Sequence, residues 1–177
     1  TTLRDQAATL RRRLRQVRSA SDTTAAHRAR VAGKRIRYLL EPFKHDVPEA
    51  ETAVRALREL QDSLGELHDA FILFEELLDA LGDAADEHVE RLRSAAHDDA
   101  EQPDRLEEER HRSAEQGIVA LVARLRARQA NAFQTVAGQW LGEGAERLLA
   151  SLEVAFDRVE GGAREQETLE VPLKLHR

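Results

Sequence analysis

Apolar residues recur three and four positions apart along most of this chain, and that spacing constrains the fold more than any other feature. Leu3, Ala7, Leu10, Leu14 and Val17 keep it. So do Leu57, Leu60, Leu64 and Leu67, then Ile118, Leu121, Val122, Leu125, Phe133 and Val136, and finally Leu148, Leu149, Leu152 and Phe156. A helix turns once per 3.6 residues, so each set forms one apolar stripe that must be buried against another. The spacing predicts an all-α chain: an antiparallel, four-helix-bundle-like arrangement of about five to six helices. Aromatic residues are only 4% of the 177, so Leu, Ala and Val must build the core. The chain has no Cys, which excludes disulfides and thiolate metal sites. No apolar run approaches the roughly 20 residues of a membrane span.

Local signals place the helix ends. The first helix is expected from about Thr2 to Ser19, with Ser19-Ala20-Ser21-Asp22 supplying an N-cap oxygen for a second helix from Thr23 to Lys44. Pro48 suits the first position of a third helix, because its missing N–H would be unpaired there anyway. That helix is expected to stop at Gly82, with a shorter one over residues 84–96. Residues 97–109 are strongly acidic and are read as an exposed loop. Helices are then expected from Ser113 to Trp140 and from Ala145 to Val159, interrupted by Gly142 and Gly144 and ended by Gly161-Gly162. The domain reading is a helical bundle over 1–162 and a tail over 163–177, extended or a short strand. The absent initiator Met is read as a sign of a piece of a longer chain.

Charge is segregated along the sequence. The net charge of -6 argues against a polyanionic ligand. Yet residues 11–37 hold ten Lys/Arg and one acid, Asp22, for +9, which leaves about -15 for residues 38–177. On a helix at about 100° per residue, His27, Arg30, Lys34, Arg37 and Tyr38 share one face. Ala29, Ala32, Ile36, Leu39, Leu40 and Phe43 lie opposite, with Arg28 and Arg35 beside the apolar stripe. Like charges at these spacings repel, and no acid stands between Thr23 and Leu40 to relieve them. Arg30 and Arg37 are about 10 Å apart along the axis. One phosphate reaches one or two of these cations, whereas an extended polyanion reaches all of them. The face is therefore read as an anion-binding surface, with a solvated basic surface as the plain alternative. Arg11, Arg15 and Arg18 form a further row, more often a solvated face than a binding one.

A second motif follows in Leu57-x-x-Leu60-Gln61-Asp62-x-Leu64-Gly65-x-x-x-Asp69. Gly65 inside a helix costs about 1 kcal/mol relative to Ala, which suggests close packing against another helix backbone. Asp62 or Asp69 could orient an Arg of the second helix. Together with His27-x-x-Arg30-Val31-x-x-Lys34-Arg35-x-Arg37-Tyr38, this motif resembles the CHAD (conserved histidine α-helical domain) family over most of residues 1–160. The resemblance implies a helical module that binds inorganic polyphosphate without catalysis. It implies His27, Arg30, Lys34 and Arg37 as contacts, Arg28, Arg35 and Arg58 as weaker ones, and Tyr38 as a hydrogen-bond donor or packing residue. It further implies a cytoplasmic location, with polyphosphate granules as an associated site. Members of the family usually carry two such halves, and only one is legible here. The chain is thus expected to resemble the second half of a tandem or a half-size member, completed by a homodimer or by a second CHAD-like half.

Other chemistries find less support. The seven His show no His pair at metal-ligand spacing, so no metal site is assigned; a divalent cation bridging bound phosphates is the softer option. No cofactor is expected beyond phosphate, sulfate or polyphosphate as ligand. No nucleophile–base pair or Gly-rich phosphate loop appears, so an enzyme is not expected. Trp140 is read as core. A nucleic-acid binder and a scaffold for an acidic protein remain the alternatives, the former disfavoured by net charge and by few aromatics for base stacking.

Overall fold

A computed structural model describes residues 2–98 and 115–169, and all five α-helices among them agree with the all-α reading. They are α1 (Leu3–Leu14), α2 (Thr23–Leu40), α3 (Pro48–Asp98), α4 (Glu115–Trp140) and α5 (Glu143–Leu169), with a 3-10 turn at Glu41–Phe43 after α2. No strand occurs among the described residues. The proposed tail strand and residues 99–109 of the acidic segment lie outside them, whereas His97 and Asp98 continue α3.

Two compact units emerge. Among the described residues, the first comprises 2–68 and 132–169, the second 69–98 and 115–131. In the first, Leu10, Leu14, Ile36, Leu40, Leu57, Leu60, Leu64, Leu67, Leu149, Leu152 and Phe156 are fully buried, as the stripes require. Long-range pairs give the directions. Arg4 reaches Asp157 and Glu160, while Arg11 reaches Glu146, so α1 and α5 run antiparallel. His27 lies beside His68 and Gly33 beside Leu57 and Leu60, so α2 and α3 do likewise. Trp140 is core as expected, and its Nε1 donates to Ser63 Oγ at 3.0 Å, which gives the buried indole N–H its partner. The second unit holds the rest of α3 and α4, with Ala70, Phe74 and Leu125 buried and the Arg126 guanidinium 5.5 Å above the Phe74 ring.

Several boundaries differ from the sequence expectation. Thr2 and Asp5 form a reciprocal capping box, so α1 starts where expected, but it ends at Leu14 rather than Ser19. Beyond it, Asp22 Oδ2 accepts the backbone N–H groups of Arg18 and Ser19, both at 2.9 Å, and leaves the N-terminus of α2 without a side-chain cap. Pro42 in the 3-10 turn ends α2 at Leu40, short of Lys44. Gly82 does not stop α3. A glycine ends a helix only when the chain turns there, and here α3 runs straight on to Asp98. Likewise α5 passes through Gly161 and Gly162 to Leu169. The expected break does occur at Gly142, whose φ of 53° is left-handed. Two residues on, a Cβ at Gly144 would sit 2.1 Å from the Gln139 carbonyl oxygen, so the sharp α4–α5 turn requires glycine.

Candidate anion-binding groove

The α2 projection places the core face correctly at its centre and wrongly at its rim. Ala26, Ala29, Ala32, Gly33, Ile36 and Leu40 are buried, whereas Leu39 is 46% and Phe43 37% exposed. Leu39 lies at the edge of the stripe, and Phe43 lies beyond the helix end, where α-helical phase no longer applies. Burial of Ala26 and Gly33 shifts the core toward Arg30 and Arg37. These two are therefore half-buried along the α2–α3 seam, while His27, Lys34 and Tyr38 stand exposed.

That seam forms a groove of about 310 Å³, lined by Arg30, Lys34, Arg37 and Tyr38 of α2 and by Arg58, Gln61 and Asp62 of α3. Small and apolar residues let the helices approach: a Cβ at Gly33 would be 3.5 Å from Leu60 Cδ2. Gly65 does not meet a helix backbone as expected; a Cβ there would lie 3.9 Å from Arg30 Nε. Arg30 Nε donates to the Gln61 carbonyl oxygen at 3.3 Å, so a backbone oxygen, rather than Asp62 or Asp69, orients it. Gln61 is itself buried, its Nε2 donating to the Leu57 carbonyl at 2.8 Å. Lys34 Nζ and the Arg37 guanidinium lie 5.5 Å and 4.7 Å from the centre of the Tyr38 ring. Tyr38 thus backs two cations through its π face.

The cations are not equivalent. Arg37 Nη1 and Arg58 Nη2 both donate to Glu41 Oε1, at 2.6 Å and 2.9 Å. Arg58's hydrogen bond above all, with the charges of Arg37, Arg58 and Lys44, holds the Glu41 carboxyl below its ordinary range, against the opposing effect of burial. Among the described residues no carboxylate lies within 4 Å of Arg30 or Lys34. An anion entering the groove would find those two charges unpaired, with Asp62 the one carboxylate on the lining.

Of the residues named from sequence, the groove brings together Arg30, Lys34, Arg37, Tyr38 and Arg58. His27, Arg28 and Arg35 do not line it. His27 instead faces His68 of α3, ring centres 6.2 Å apart, and Arg28 and Arg35 are exposed. Glu41 was missed, although its position four residues after Arg37 is the helical ion-pair spacing. The Arg11–Arg15–Arg18 row is not one helical row, because α1 ends at Leu14. Arg11 and Arg15 bind the two oxygens of Glu146 at 3.0 Å and 3.4 Å. Among the described residues no group of three or more His, Asp or Glu could hold a metal ion, and no helix is long and apolar enough to cross a membrane.

No match to this chain was found among curated proteins or among solved structures. A family profile does match, that of the CHAD domain, over residues 1–174. The likeness seen in two short motifs therefore extends over nearly the whole sequence, and this chain belongs to the CHAD domain family.

Proposed function

We propose that this chain binds inorganic polyphosphate, without catalysis, in the groove between α2 and α3. One observation carries the reading: four cations from two helices converge on one groove, and two of them, Arg30 and Lys34, have no carboxylate partner among the described residues. Membership of a family of polyphosphate-binding modules supports the same ligand. Arg30, Lys34, Arg37 and Arg58 are the inner contacts. Arginine forks can take phosphate oxygens pairwise, while Lys34 follows as a mobile charge. His27, Arg28 and Arg35 are contacts for a chain long enough to leave the groove and run over α2. A second copy, or a second CHAD-like half, would add a facing cationic surface. The cytoplasm, and polyphosphate granules within it, is the proposed location.

The rival ligand is single-stranded nucleic acid, which offers the same phosphates. Among the described residues, Tyr38 is the only aromatic ring lining the groove, and two cations already lie against its face, which disfavours base stacking there. A titration at fixed salt with long-chain polyphosphate, single-stranded DNA and triphosphate separates the two. Long-chain polyphosphate should bind tightest by at least about tenfold, a margin of roughly 1.4 kcal/mol. Equal affinity for DNA would sink the assignment.

A further inference from the structure

Glu41 does not line the groove, yet it engages two of the groove's cations. One of its oxygens accepts from Arg37 and Arg58 together, at 2.6 Å and 2.9 Å. A carboxylate bridging two arginines can be structural cement, as Glu146 is between α1 and α5. The surroundings differ here. Arg37 and Arg58 share their groove with Arg30 and Lys34, which have no such partner among the described residues. The bridge therefore neutralises part of a cationic site rather than closing an isolated contact.

We propose that Glu41 is a resident competitor for the ligand: its carboxylate engages donors of Arg37 and Arg58, two of the groove's four cations, and bound polyphosphate takes those donors over. The inference rests on the polyphosphate reading above. A phosphate oxygen that approaches these donors meets the carboxylate as a like charge, so the two anions cannot comfortably share them. The backbone need not move for the exchange. Glu41 opens the 3-10 turn that Pro42 stiffens, and its side chain is 27% exposed, so rotation of the side chain toward solvent suffices. Arg37, only 15% exposed, stays in place and passes its donors from one anion to the other. The exchange lowers the net affinity. It also keeps the two guanidiniums from repelling each other while the groove is empty.

The test compares long-chain polyphosphate binding by the unaltered chain, Glu41→Gln, Glu41→Ala and a control, Glu153→Gln, across a range of salt concentrations. Glu153 is an exposed acid of α5 that does not line the groove. Both Glu41 variants should bind about tenfold more tightly near physiological salt, the size of one close like-charge contact at a surface. Their logarithmic salt dependence should steepen by about one, because freed cations exchange more counterions. Melting curves establish that each variant is folded. Unchanged or weaker binding by folded Glu41 variants would overturn the proposal and make Glu41 a positioning residue. An equal gain in Glu153→Gln would overturn it too, since net charge alone would then account for the effect. If the unaltered chain and every variant fail to bind polyphosphate, the functional reading itself falls. Normal binding by the unaltered chain with no gain at Glu41 removes this inference alone.

Discussion

The chain has two rows of basic residues, one on α1 and one on α2, and they have different fates. On α1, Arg4 pairs with Asp157 and Glu160, and Arg11 and Arg15 with Glu146, all on α5. These three arginines tie two antiparallel helices together in register. On α2, Arg30 meets only a backbone carbonyl and Lys34 only the face of Tyr38, while Arg37 shares Glu41 with Arg58. In sequence the two rows look alike, since both repeat Lys/Arg at helical spacing with few acids nearby. What separates them is the neighbour each faces. The α5 surface opposite α1 supplies three carboxylates that pair with its arginines, whereas the α3 surface opposite α2 supplies Gln61, Gly65, another arginine and one carboxylate, Asp62, that pairs with neither Arg30 nor Lys34. A row of cations stays available to an anion when the facing helix pairs few of them.

The strongest way to break this contrast is to remove each row in turn. Replacing Arg30, Lys34 and Arg37 together with Ala should weaken long-chain polyphosphate binding at least about 100-fold. Charge-assisted hydrogen bonds contribute about 1.5–3 kcal/mol each, and their losses do not add fully. The double change Arg11→Ala/Arg15→Ala should cost less than about threefold, measured in the same titration, with the residual loss coming from long-range attraction. Comparable losses in both variants would erase the distinction.

A smaller effect addresses the α1 row from its other side. Glu146→Gln removes the shared counter-charge of Arg11 and Arg15. All three side chains are well exposed, so thermal or urea unfolding should show a loss below about 1 kcal/mol. Polyphosphate affinity should change less than about twofold, against the gain expected for Glu41→Gln. A gain of similar size at Glu146 would mean that freed α1 arginines join the binding surface.

The smallest expected effect is on pH. Backbone N–H groups of Arg18 and, with its side chain, Ser19 hold the Asp22 carboxyl below its ordinary 3.8, and Thr2 does the same for Asp5. A depressed carboxyl binds its proton less readily in the folded chain than in the unfolded one. Its contribution to stability is therefore fully present well above the unfolded value and is lost as pH falls through the lower folded value. Unfolding between pH 5 and pH 2.5 should show stability declining at the acid end, and Asp22→Asn should flatten part of that decline. An unchanged profile in the variant would remove Asp22 from this account.

Much of this was legible because helical period is a local property. The stripes Leu57–Leu60–Leu64–Leu67 and Leu148–Leu149–Leu152–Phe156 point to core positions that burial bears out. Helix ends were less legible. Gly82 and Gly161 carry the residue type of a stop, but a stop also requires that the chain turn, and at neither glycine does it. Gly142 does turn, and Gly144 beside it admits no side chain. In the groove, the cationic face of α2 followed from spacing alone. Its division into inner and outer members did not, because it depends on how far the α2 core face rotates toward Arg30 and Arg37.

The sequence by itself determined an all-helical chain, the composition of its core and a concentration of positive charge on two helices, since period and charge can be counted along one strand of text. Only the tertiary structure decided which charges remain available. A counter-charge such as Glu146 lies 135 residues from the Arg11 it neutralises. Coulomb interactions act through space over a few ångströms, so that pairing exists only once α5 has packed against α1.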